Sequence, residues 1–328
     1  MAPIFSKLAC SFVLSMAFVS SAFASHNPAG FDHLISKLEH EAKAEGISQH
    51  TLDYAFKDVH YLAKIMESTS GQPELRLTTQ RYLTEIVTPE RIKKGNYYYH
   101  QNALLLQRIS ATYHVQSAYI VAIWGIESSY GQYMGTYPII SSLATLIYNS
   151  QRPHLFTEEL FAELKMVQQG YNQPEQLLGS WAGATGQCQF MPGTFLDYAV
   201  DYDHIGKKDI WHDQPDVFAS IANFFSQRHW DDHAIAAIPV TLPKHFNATL
   251  IGIHAQPKPL LEWIKMGVQP QNHIWPTSAY APTRLIQPDG PDTTAYLITD
   301  NFKQILAWNN SVSYALAVSQ LAHEIALQ

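Results

Sequence analysis

The sequence predicts a mainly α protein with one small β-containing insertion. Three observations carry that prediction. Apolar residues recur at helical spacing in the first third of the chain, with Phe31, Leu34, Ile35 and Leu38 at i, i+3, i+4 and i+7. The stretch from Ile109 to Ile126 contains no Asp, Glu, Lys or Arg. Between Ala236 and Asp300 prolines accumulate and the pattern changes, before helical spacing returns from Asn301. A chain of 328 residues, 46% hydrophobic and 15% charged, suits two domains or one large elaborated one and excludes wholesale disorder or a fibrous repeat.

Residues 1–24 read as a secretory signal peptide. Lys7 precedes the apolar run Leu8 to Val19, and Ala22-Phe23-Ala24 supplies a small-residue cleavage site before Ser25. A spanning helix needs about 20 apolar residues, so the mature chain is expected to carry no transmembrane anchor. Cys10 lies near the start of the apolar run, whereas a lipid-attachment cysteine should follow it. Once the leader is removed Cys188 is the sole cysteine, so no intrachain disulfide can form and stability rests on a packed core.

Residues 25–110 follow as a helical subdomain of short helices and polar turns. Residues 111–235 with 301–328 are expected to form the main helical body. Within it Ser117 to Ile126 reads as a buried helix, and Pro215 to Trp230 as another with Val217, Ile221, Phe224 and Phe225 on one side. The closing segment keeps the period through Ile305, Leu306, Tyr314, Leu316, Leu321 and Ile325. Residues 236–300 form the insertion, with strands at Ile238 to Leu242 and Ala295 to Ile298 and a short helix at Leu260 to Met266.

The net charge of −7 arises downstream of Arg108, because acidic and basic side chains balance from Ser25 to that point. No basic surface of the kind that binds nucleic acid is visible. Low charge and 12% aromatic residues fit either a mostly neutral sugar substrate or a large buried core.

Glu127 is the most suggestive single residue. It ends an uncharged helix, with Ile123 and Trp124 one turn behind and Ser128-Ser129-Tyr130-Gly131 just after. An apolar wall and the negative end of a helix dipole both favour a protonated carboxyl, which a general acid requires near neutral pH. A glutamate frayed into solvent at a helix end fits the same pattern.

The second signal is the run Gly179-Ser180-Trp181-Ala182-Gly183-Ala184-Thr185-Gly186-Gln187-Cys188-Gln189-Phe190-Met191-Pro192. Small residues let backbone approach a ligand, while the glutamine amides and the aromatic rings suit a sugar carrying acetamido groups. A turn that packs against a helix would use the same glycines. No GK[ST], GxGxxG, HExxH or GxSxG pattern occurs, so phosphate cradling, a zinc site and a serine nucleophile are all unsupported despite 16 histidines. Cys188 is either a reactive free thiol or a small buried residue.

The run Trp124-Gly125-Ile126-Glu127-Ser128-Ser129-Tyr130-Gly131, then Pro138-Ile139-Ile140-Ser141-Ser142-Leu143-Ala144-Thr145-Leu146, then the glycine-rich segment resemble the lytic murein transglycosylase B family. Tyr198 to Asp203, Asp209-Ile210-Trp211, Ser220 to Phe225, Asn309-Asn310-Ser311 and Tyr314 to Val318 continue the likeness in order. The resemblance implies a lysozyme-like helical catalytic core with a helical N-terminal extension. It implies cleavage of the β-1,4 bond between N-acetylmuramic acid and N-acetylglucosamine in peptidoglycan, leaving 1,6-anhydromuramic ends. On that likeness Glu127 takes the catalytic position, and Ser180, Gln189, Asn309 and Tyr314 fall on active-site or glycan-contact positions beside Phe190. The sequence departs from the family at Thr185, Cys188 and Ala307-Trp308, where Trp308 keeps a ring that could stack on a sugar but lacks a tyrosine hydroxyl.

A glycosidase of the ordinary kind needs two carboxyl groups. The resemblance implies substrate assistance instead, with the muramic acetamido oxygen stabilising the anomeric centre and Glu127 serving as acid and then as base. No cofactor is then required. It implies a periplasmic location, glycan strands as the partner, and other cell-wall synthesis or hydrolysis enzymes as neighbours.

Asp201-Tyr202-Asp203-His204-Ile205-Gly206-Lys207-Lys208-Asp209 is similar to a calcium loop, with Asp201, Asp203 and Asp209 at alternate positions and glycine at the sixth. Ile205 stands where an oxygen ligand is expected, and His212 stands at the twelfth position. A weak calcium site and a solvated acidic turn held by Lys207 and Lys208 both fit. Two other readings of the chain remain open: a muramidase using Glu158, Glu159 or Glu163 as a second carboxylate, and a scaffold that binds glycan without cutting it.

Overall fold

The computed structural model describes residues 27–69, 77–271 and 278–327. The expected signal peptide at 1–24 lies outside the described residues. The described residues fold into two compact units, one built from 77–126, 222–271 and 278–327 and the other from 27–69 and 127–221. The helices Ser117–Ser128 and Gln214–Ser226 carry the chain across these boundaries. The segment 25–110, read from sequence as one subdomain, is thus shared between the two units.

In the Glu127 unit the helices Ile139–Asn149 and Pro153–Gln168 pack against each other and against Phe31–Ala44, Gln49–Ala55 and Pro192–Tyr198. Their common core joins Leu38, Leu52, Ile139, Leu143, Leu160 and Leu164. Pro153 opens its helix at the first turn, where a missing N–H leaves no bond unmade. Ser48 caps the Gln49–Ala55 helix by accepting from Thr51 N–H.

In the other unit the strands run Lys258–Pro259, Pro282–Ile286, Ala295–Ile298, Ala237–Thr241, Gln269–Pro270 across one antiparallel sheet. Ile238 pairs with Leu297 and Val240 with Ala295, and the four meet Leu260, Trp263 and Leu285 in a shared core. Strand Ala237–Thr241 and helix Leu260–Lys265 fall where alternation and helical spacing place them, each one residue from the expected end. The Asp289 carboxylate accepts the N–H groups of Thr79 and Gln80, tying the insertion to the first turn of helix Thr79–Ile86.

The helix Ser117–Ser128 is buried from Ala118 to its end, as a sequence uncharged up to Ile126 and without a polar face requires. Among the described residues no helix is long and apolar enough to cross a membrane.

Candidate active site

Glu127 sits in the last turn of the Ser117–Ser128 helix and is only 6% exposed, which removes the reading of a side chain frayed into solvent. The chain then takes three consecutive left-handed residues, Ser129 at φ 50°, Tyr130 at φ 63° and Gly131 at φ 80°. Two non-glycine residues in that region, one of them a buried tyrosine, are strained and are held by their surroundings. Ser128 Oγ accepts the Gly131 N–H at 2.9 Å and closes the turn. A Cβ on Gly131 would run into the Gln187 carboxamide, whose Nε2 donates to Trp211 O at 2.8 Å. Gln187 thereby braces the turn that follows Glu127 against the segment at Trp211, a link the sequence pattern did not single out.

The glycine-rich run is a compact turn built on Ser180. Its hydroxyl oxygen accepts the N–H groups of Ala182 at 3.2 Å and Ala184 at 3.0 Å, and Thr185 and Phe190 exchange backbone hydrogen bonds. Gln189, at φ 49°, donates through Nε2 to Met134 O and Gly186 O. At Gly183 the space a Cβ would take is filled by Leu143 of the Ile139–Asn149 helix. The glycine here admits the protein's own helix, so close packing and not ligand approach explains it. Phe190 is buried beneath the run. Cys188 is buried too, with its thiol donating to Val217 O at 3.5 Å. Burial, then the charges of Glu127 and Asp216, push that thiol well above the ordinary cysteine range, so it is a packing residue and not a reactive thiolate.

Glu127, Ser180, Gln189 and Phe190 belong to one unit, and Trp308, Asn309 and Tyr314 to the other. Asn309 and Tyr314 are buried where helix Asp300–Trp308 ends and helix Val312–Ala326 begins, with Ser311 Oγ accepting Tyr314 N–H. Trp308 packs among the aromatic residues of its own unit. Its ring stacks on Phe225 at 5.5 Å and 9°, meets Phe224 edge-on, and is 6% exposed. The indole face is used by the aromatic core.

The three carboxylates offered as a second catalytic group sit in different surroundings. Glu158 lines an outer groove with Lys37 and Lys165. Glu159 accepts the Gly193 N–H at 2.7 Å. Glu163 is fully buried with no hydrogen-bond partner on either oxygen.

In the acidic loop the structure gathers Asp201 and Asp203 with Asp216, their oxygens within 4.8 Å of one another. Asp216 is buried and accepts Tyr202 N–H at 2.6 Å and Asp209 N–H at 2.7 Å. Burial pushes its carboxyl up to about 6, and Asp213 and Asp203 add to the rise. Asp209 turns instead to Trp211 N–H and His212 N–H, both at 2.9 Å. Asp201 accepts from Ile205 N–H and Gly206 N–H, so the loop is ordered by its own backbone. Asp216 lies beyond the span of a 12-residue loop, and its mark in the sequence was only an acid in the first turn of a helix.

The helical body that carries this buried glutamate has the lysozyme-like fold of the lytic transglycosylases whose solved structures are similar to it. More particularly, the chain belongs to the transglycosylase SLT domain family, whose model matches residues 30–323. It is 32% identical over 254 residues to membrane-bound lytic murein transglycosylase B of Escherichia coli (strain K12), covering 75% of this chain and 67% of that one. SltB3 from Pseudomonas aeruginosa, solved in complex with NAG-anhNAM-pentapeptide, is similar with a TM-score of 0.84 and 38% identity over 90% of this chain and 79% of its own. Escherichia coli lytic transglycosylase SLT35, solved in complex with calcium, is similar with a TM-score of 0.75 and 28% identity over 92% of this chain and 93% of its own. The likeness to the lytic murein transglycosylase B family and the mainly α fold thus both stand.

Proposed function

We propose that this protein is a periplasmic lytic transglycosylase that cleaves the β-1,4 bond between N-acetylmuramic acid and N-acetylglucosamine in peptidoglycan, with Glu127 as its acid and base. The observation that carries this reading is the placement of Glu127, a buried carboxyl ahead of a strained turn, in a chain of the transglycosylase SLT domain family. The SltB3 complex with a NAG-anhNAM-pentapeptide supports the substrate class. For the location, the support is the apolar leader read from the sequence.

In the reaction proposed, protonated Glu127 gives its proton to the glycosidic oxygen as the bond from C1 breaks. The acetamido oxygen of the same muramic residue bonds to C1. Ionised Glu127 then takes the proton of the C6 hydroxyl, O6 bonds to C1, and the acetamido oxygen leaves. The proton gained equals the proton lost, so one carboxyl completes the cycle and this route needs no second carboxylate. Ser180, Gln189, Asn309 and Tyr314 are proposed to contact or orient the glycan.

Asp201, Asp203 and Asp216 fit a divalent cation in charge and spacing, and burial first, with Asp213 and Asp203 adding to it, raises Asp216. We propose weak calcium binding there, limited by Ile205, which offers no oxygen at a position that calls for one. The cation would supply loop stability and no step of the reaction.

The test is digestion of isolated sacculi by the wild type and by Glu127→Gln, with mass spectrometry of the released muropeptides. Products lighter by one water than hydrolytic ones, absent with the variant, are expected. Hydrated reducing ends would replace the proposal with a muramidase, and intact binding without release would replace it with a scaffold.

A further inference from the structure

Glu163 breaks a rule that most of the core keeps. It lies on helix Pro153–Gln168, is fully buried, and neither carboxyl oxygen has a hydrogen-bond partner. Buried polar groups are paired almost without exception, and a bare buried charge is far more costly than a bare neutral group. One helical turn earlier is Glu159, of like charge, whose Oε2 is taken by the Gly193 N–H. Around them Leu160 and Leu164 of the same helix pack with Ile139, Leu143, Ile147 and Met191. On helix Ile139–Asn149 the Ser142 hydroxyl is likewise buried without a partner.

Among the described residues no opposite charge acts on Glu163. Of the helices packed on its own, Ile139–Asn149 offers Tyr148 and Pro192–Tyr198 offers Asp197 and Tyr198. Gln49–Ala55 offers His50, Asp53 and Tyr54, and Phe31–Ala44 offers Asp32, His33, Lys37, Glu39, His40, Glu41 and Lys43. All of these side chains are exposed or half-exposed. Glu159 is the charged group that acts on it.

We propose that Glu163 is a proton-gated element of this core: protonated, it lets the helices close around it, and ionised, it drives them apart to admit water. Burial first, and Glu159 second, push its carboxyl up to about 8 from an ordinary value of 4.5. Because the folded value lies above the unfolded one, the native state holds the extra proton across that window. The stabilisation is complete below about 4.5, falls as pH rises, and is gone above about 8, with the unfolding constant growing roughly tenfold per pH unit in between. This inference is independent of the reaction proposed for Glu127.

Urea unfolding of the full mature chain between about pH 5 and pH 9 tests it, with hydrogen exchange of peptides from 153–168 to localise the opening. Glu163→Gln keeps the shape without a titrating proton, and Glu163→Met covers the case in which the amide fits poorly. Relative to either variant, the unfolding constant of the wild type is expected to rise by about 10²-fold to 10³-fold across the window. Exchange in 153–168, corrected for its intrinsic rate, is expected to quicken in mild alkali in the wild type alone. Parallel pH profiles for the wild type and both variants, or offsets that are the same at every pH, would overturn the proposal.

Discussion

In the 236–300 insertion, strand Ala237–Thr241 turns Ile238 and Val240 inward and Pro239 and Thr241 outward, and the buried polar side chains are threonines. The Glu127 unit instead buries Glu127, Glu159, Glu163 and Asp216 and bends the chain through Ser129, Tyr130 and Gly131 at positive φ. Both regions are densely packed, so the contrast is not one of order against looseness. It lies in the buried acids: among the described residues they gather in the unit that carries the candidate catalytic residue, and the insertion buries none.

The largest effect expected from this contrast is on chemistry. Glu127→Gln should lower turnover by roughly 10³-fold, the scale of a lost general acid and base, while the melting temperature changes little. A collapse of stability in the variant would mean that Glu127 serves packing first. A smaller effect compares two glycines of similar φ. Gly131→Ala meets the Gln187 carboxamide and should cost about 3 kcal/mol, with a loss of activity. Gly290→Ala, at φ 89° in the insertion with open space around it, should cost only about 1 kcal/mol, the left-handed penalty alone. Equal costs by urea unfolding would remove the claim that Gln187 braces the turn. The smallest effect is at the acidic loop, where Ile205→Asp adds the missing oxygen. It should tighten calcium binding by calorimetry and raise the melting temperature in calcium by a few degrees, about 1 kcal/mol.

Much of this could be read from the chain because periodic burial writes itself into sequence. The uncharged run to Ile126 gave a buried helix, and alternation around Val240 gave a strand. Glu127 stood out as the charge that ends such a run. Contacts between distant segments left no such trace. Gly183 could open space for a sugar or for a neighbouring helix, and only the position of Leu143 decides. Trp308 has the composition of a sugar platform, yet its face is spent on Phe225. Asp216 completes the acidic cluster from outside the loop that announced it. Glu163 stood in the sequence only as one of three acids that could serve as a second carboxylate, because its lack of a partner exists only in three dimensions.

The central claim is that one carboxyl suffices because the substrate supplies its own nucleophile. Digestion of sacculi in water enriched in heavy oxygen tests it most directly. Ring closure by O6 takes no oxygen from solvent, so the account predicts anhydro products without label. One heavy oxygen at each new reducing end would contradict it.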